Sequence, residues 1–128
     1  MKISESEDTI TAYLTGDIDH HSARNIREDI DAFIQMKKPY LLRLDFSGVS
    51  FMDSSGIGLI MGRYKLMSEQ GGTVIVSRPP VYIKKVLRLA GVDRLAPIAD
   101  SLDGLIPEAE ENNEKEVEEI EQTTPQTT

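Results

Sequence analysis

The sequence predicts an α/β domain: a mixed, mainly parallel sheet of four to five strands covered by helices, followed by a disordered acidic C-terminal tail. Three observations carry this prediction. Apolar residues alternate with a period of two in some segments and recur at helical spacing in others. The two kinds of segment follow one another as β-β-α-β-α-β-α, then a short strand and a helical turn, the order of strands joined by right-handed helical crossovers. From Glu108 the composition turns abruptly to Glu, Asn, Gln and Thr.

Each element has its own signal. Ile3 starts a short edge strand, and Glu7-Asp8 reads as a turn. From Thr9 to Thr15, Ile10, Ala12 and Leu14 face one way and Thr9, Thr11, Tyr13 and Thr15 the other, a half-buried strand that Gly16 ends. Ser22 is the expected N-cap of the first helix, with Ala23, Ile26, Ile30, Phe33 and Ile34 on its apolar face. Arg24, Arg27, Glu28, Asp29 and Asp31 fall on the other side, and Pro39 ends the helix. Tyr40–Phe46 is the next strand. A loop leads to a helix over roughly residues 55–70, with Ile57, Ile60, Met61, Tyr64 and Met67 apolar. Gly58 and Gly62 lie four apart on one face of it, which suggests close packing on the sheet, and Gly71-Gly72 caps it. Thr73–Ser77 is a continuous apolar run, as in a strand covered on both faces. Pro79-Pro80 opens a third helix with Ile83, Val86, Leu87 and Ala90 inward, closed by Gly91. Leu95–Ile98 adds an edge strand, and Ser101–Ile106 a last helical turn.

Charge divides the chain in the same place as composition. Residues 108–128 hold eight Glu and one Lys, whereas residues 1–107 hold 14 acids and 13 bases. The expected organisation is a nearly neutral domain over 1–107 and a solvated acidic tail over 108–128. No basic surface for nucleic acid stands out. The chain has no cysteine, which excludes disulfides, thiolate metal sites and cysteine nucleophiles and suits a reducing cytoplasm. Its first residues are too polar for a signal peptide, and no apolar run approaches a membrane span. The expectation is a cytoplasmic protein with no cofactor and no membrane partner.

The segment best placed for function is Met52-Asp53-Ser54-Ser55-Gly56, between a strand and a helix, where α/β folds commonly place sites. Ser54 lies at or next to a helix N-cap, and capping alone accounts for a serine there. The helix start is weak, with Gly56 and Gly58 in its first turn, and Phe51 and Met52 precede it in an expected loop, where exposed apolar residues suit an interface. A phosphate on Ser54 would add roughly −1.5 to −2 charge. The helix N-terminus would tolerate it, while Asp53, Asp17 and Asp19 would repel it. Binding should therefore respond more than folding.

Three enzymatic or metal readings are weaker. The Ser54 segment lacks the G-x-S-x-G pattern of a nucleophile elbow, and its base would have to be His20 or His21. These adjacent histidines read as turn residues before Ser22, with no third ligand for a metal. A phospho-aspartate receiver using Asp45 or Asp53 lacks the acid pair expected after the first strand, and no glycine-rich nucleotide loop is present.

The segments Gly16-Asp17-Ile18-Asp19-His20-His21-Ser22-Ala23 and Leu44–Lys65, centred on Asp53-Ser54-Ser55-Gly56, resemble the anti-sigma factor antagonists, which are STAS domains, and within them the sporulation branch of spore-forming bacteria. The resemblance covers about residues 1–107. It implies a STAS fold and a binding protein without catalysis, acting in transcription regulation. Its partners would be an anti-sigma factor that is also a serine kinase and a serine phosphatase that reverses the modification. It implies phosphorylation on the first serine of the motif, Ser54, and a partner surface built from Asp17, Asp19, His20, His21, Phe51, Met52, Asp53, Ser55 and Gly56. A monomer is expected. A STAS module of another pathway, such as a general stress response or a signalling scaffold, is the alternative. The acidic tail departs from the family pattern.

Overall fold

The structure, a computed structural model, describes residues 1–101. In chain order it contains β1 (Lys2–Ser6), β2 (Thr9–Ile18), α1 (His20–Lys37), β3 (Leu41–Met52), α2 (Ser54–Glu69), β4 (Thr73–Ser77), α3 (Val81–Leu89), a 3-10 turn (Val92–Arg94) and β5 (Ile98–Ala99). The five strands form one sheet in the order β1-β2-β3-β4-β5. β1 runs antiparallel to β2, and every later pair is parallel. The helical turn expected beyond Ser101 and the acidic segment 108–128 lie outside the described residues.

Side-chain alternation sorts the strands into two faces. Ile10, Ala12 and Leu14 of β2, Leu42, Leu44 and Phe46 of β3, and Val74 and Val76 of β4 join one apolar core. All three helices close on it, through Ile30 and Ile34 of α1, Leu59, Ile60 and Met67 of α2, and Ile83 and Leu87 of α3. Burial of each such aliphatic side chain contributes roughly 1.5–3 kcal/mol, which is how a core poor in aromatics holds the fold. The opposite face carries a small cluster of Leu41, Ile75 and Ala99 beside the buried polar residues Thr9, Thr11, Arg43 and Asp45. Asp45 is only 1% exposed, and its Oδ1 lies 2.8 Å from Arg78 Nε while its Oδ2 accepts a 2.7 Å hydrogen bond from Ser47 Oγ. This clamp ties the end of β4 to β3.

Several boundaries differ from the sequence expectation. Gly16 does not end β2. At φ +78° it lets the strand continue to Ile18, beside a β3 that is also longer than expected and reaches Met52. The pairing slips twice, between Tyr13 and Thr15 and between Gly16 and Asp17, each time leaving an extra residue on β3. Such bulges bend a strand without ending it. Phe51 and Met52 are therefore strand residues and not loop residues, and Asp17, past the expected strand end at Gly16, also lies in β2. The N-cap of α1 is Asp19, not Ser22, and His20 and His21 are its first helical residues. Asp19 Oδ1 accepts from Ser22 N–H at 2.9 Å, and Ser22 Oγ accepts from Asp19 N–H at 3.0 Å, a reciprocal capping box with the serine at the third helical position. Ala90, expected inward, is exposed at the end of α3. The edge strand near the end spans Ile98–Ala99 and not Leu95–Ile98.

Gly58 and Gly62 do not pack on the sheet. A β-carbon built on either meets nothing within 4 Å. They line a cleft of ≈ 470 Å³ between α1 and α2. The glycine that makes close contact is Gly56, where a β-carbon would collide with the Met52 side chain.

Candidate functional site

Parallel pairing of β2 with β3 sets the site. Asp17 stands opposite Phe51 and Ile18 opposite Met52, so the two strands end together and α1 and α2 start side by side at the carboxyl edge of the sheet. The Asp53 N–H donates to the Ile18 carbonyl at 3.1 Å, extending that alignment into the turn. Asp17, Asp19, His20 and His21 from one connection thus share an edge with Phe51, Met52, Asp53 and Ser54 from the other.

Asp53 is the N-cap of α2, and its Oδ1 accepts the Ser55 N–H at 2.8 Å. Ser54 is the first helical residue, exposed, with no hydrogen bond on its hydroxyl among the described residues. Ser55 is half-buried and lines the cleft between the helices. Below them, Met52 is 6% exposed and Gly56 is buried. These two residues, expected on the partner surface, are buried in the packing between β3 and α2. Phe51 is 48% exposed and does present an apolar ring at this edge.

Tyr82, which the sequence reading did not select, belongs to the same neighbourhood. Its hydroxyl accepts the Met52 N–H at 3.3 Å, and its ring is half exposed. The link joins the first turn of α3 to the end of β3. The Pro79-Pro80 helix start was visible in the sequence, but nothing local says that its tyrosine reaches 30 residues back.

Charged groups lie at the start of α1 and between the bodies of α1 and α2. Asp19, capping α1, has its carboxyl held below the ordinary 3.8, chiefly by the hydrogen bond from the Ser22 backbone. A buried Arg63 on α2, 6% exposed, faces Asp31 of α1 with Nε 2.8 Å from Oδ1. The distance is that of an ion pair, but the alignment is poor, and Arg63 Nε, Arg63 Nη1 and Asp31 Oδ1 have no hydrogen-bond partner. Burial raises the Asp31 carboxyl above its ordinary value despite Arg63 and Arg27, and burial also lowers Arg63. Sequence periodicity put Asp31 on a polar face. Its pairing with a buried arginine depends on how α1 and α2 cross. Among the described residues, no group of three or more His, Asp or Glu is arranged to hold a metal ion, and no helix is long and apolar enough to cross a membrane.

Residues 1–105 match the STAS domain family. The chain belongs to this family. An anti-sigma F factor antagonist of Paenibacillus polymyxa is 38% identical to this STAS protein over 90 residues, covering 69% of this chain and 75% of the relative. The solved anti-sigma factor antagonist SpoIIAA, in its unphosphorylated form, superimposes with a TM-score of 0.69 at 26% identity, covering 89% of this chain and 94% of that one. The Bacillus cell fate determinant SpoIIAA in its phosphorylated form superimposes with a TM-score of 0.63, also at 26% identity, covering 89% and 97%. The chain thus superimposes on SpoIIAA in both its unphosphorylated and its phosphorylated form.

Proposed function

We propose that this STAS protein is an anti-sigma factor antagonist without catalysis of its own. It binds an anti-sigma factor that is also a serine kinase, through the edge where α1 and α2 begin, and so frees a sigma factor, in a sporulation-type circuit. The kinase transfers a phosphoryl group from ATP to Ser54, which inactivates the antagonist, and a serine phosphatase restores it. The protein acts in the cytoplasm as a monomer.

The observation that carries this reading is the contrast between the two serines of the motif. Ser54 presents a free, exposed hydroxyl at the first position of α2, while Ser55 is half-buried and its N–H is taken by Asp53. A phosphate on Ser54 would stand at the N-terminus of α2, where the helix dipole favours an anion, so the fold is expected to persist. Beside it stand the Asp53 cap and the half-exposed rings of Phe51 and Tyr82. A partner that covers those rings would have to desolvate the phosphate, which is the physical reason for weakened binding.

The test is phosphorylation by the cognate kinase with ATP, followed by mapping of the site by mass spectrometry. Phosphate is expected on Ser54 alone. Phosphate on Ser55 with none on Ser54 would overturn the assignment.

A further inference from the structure

The cleft between α1 and α2 is lined by three arginines and by no acidic residue. Arg24 and Arg27 are exposed on its α1 wall and make no ion pair among the described residues. On the α2 wall, Arg63 is more than nine-tenths buried, with Nε and Nη1 lacking hydrogen-bond partners. His20 also lines the cleft. Asp31, next to the cleft, pairs with Arg63 at 2.8 Å and also feels the charge of Arg27. Between the walls, Gly58 and Gly62 leave open space where β-carbons would stand, so an extended chain can approach the α2 backbone.

We propose that the acidic segment Glu108–Glu121 of this same chain docks in the cleft. It carries eight Glu and one Lys, while the rest of the chain is close to neutral. Guanidinium groups take carboxylates with paired, charge-assisted hydrogen bonds, which suits a run of glutamates. The described chain ends at Ser101, just after β5. β5, β4 and β3 run parallel, so the chain leaves the sheet at the same carboxyl edge where α2 begins. The seven residues from Leu102 to Glu108 can span roughly 23 Å and the 20 from Leu102 to Glu121 roughly 66 Å, against a radius of gyration of ~13 Å for a 100-residue domain. Tethering keeps the segment at high local concentration, so modest contacts suffice to fill the cleft. The proposal stands on the cleft and on charge, whether or not Ser54 is the modified residue.

The absence of cysteine allows a direct test. In the full chain carrying Asn113→Cys, a nitroxide label is attached and amide signals are compared before and after its reduction. At low salt the label should broaden the amides of Arg24, Arg27, Gly58 and Gly62 by about twofold more than those of β1, and roughly 0.5 M NaCl, with a Debye length near 4 Å, should remove the difference. The double variant Arg24→Glu/Arg27→Glu changes two exposed residues and should also remove it, with core amide shifts unchanged. Uniform broadening, or broadening centred away from the cleft, would overturn the proposal. So would equal broadening in a mixture of isotope-labelled and spin-labelled chains, which would assign the cleft to a second copy. Saturable shifts of the cleft amides with inorganic phosphate, while the label leaves them sharp, would make it a small-anion site and equally overturn the docking.

Discussion

Gly56 lies directly against Met52, with no room for a β-carbon between the first turn of α2 and the end of β3. The same helix carries Gly58 and Gly62 over open space. Three glycines in one helix thus differ in what they do, and only Gly56 is demanded by packing.

Gly56→Ala should destabilise the protein by about 1–3 kcal/mol, because Met52 or the helix start must shift. Gly58→Ala should stabilise it by up to about 1 kcal/mol through helix propensity, since nothing obstructs the added methyl group. Urea denaturation of the two variants checks the contrast. Equal effects of the same sign would contradict the packing described for Met52.

Ser54→Asp should weaken binding to the anti-sigma factor kinase by tenfold or more, a cost of at least ~1.4 kcal/mol, with thermal stability nearly unchanged. Ser54→Ala should bind normally and resist inactivation by the kinase. Titration calorimetry and a melting curve on the same samples separate the two effects. A large loss of stability in the Asp variant would place the charge effect on folding instead of binding.

Tyr82→Phe removes the acceptor for the Met52 N–H. The expected cost is about 1 kcal/mol of stability, the usual net value of such a bond. Amide exchange should quicken at Met52 and Asp53 more than in the core of β3. An unchanged exchange rate at Met52 would show that water replaces the hydroxyl at no cost.

The acid limb of stability should carry opposite contributions from two aspartates. Asp19 is held below 3.8 in the folded state, so its contribution is present above that pH and is lost as pH falls through its native value. Asp31 is raised above 3.8 by burial, so its contribution is present below that pH and is lost as pH rises through its native value. Stability measured against pH for Asp19→Asn should therefore converge on the parent protein towards strong acid. A difference independent of pH would rule out the charged cap as its cause.

Much of the architecture was legible from local pattern. Thr73–Ser77 is a strand, as its unbroken apolar run required, and the helical spacing of Ile30 and Ile34 matches the buried face of α1. Chain order implied the parallel sheet, and turn chemistry marked Asp53-Ser54-Ser55-Gly56 as a strand-to-helix connection. The misreadings have a common origin. Gly16 and Ser22 carry local signals for a strand end and an N-cap, but β2 stays paired past two bulges in β3 as far as Ile18, and Asp19 takes the cap.

By itself the sequence determined which segments form strands and helices, and that one serine pair opens the second helix, because these follow from side-chain periodicity and turn chemistry over a few residues. Only the tertiary structure decided which serine is exposed, that Gly56 rather than Gly58 makes the close contact, that Arg63 is buried against Asp31, and that Tyr82 reaches Met52. Each of those depends on the distance and crossing of elements far apart in the chain, and no local pattern of residues encodes that geometry.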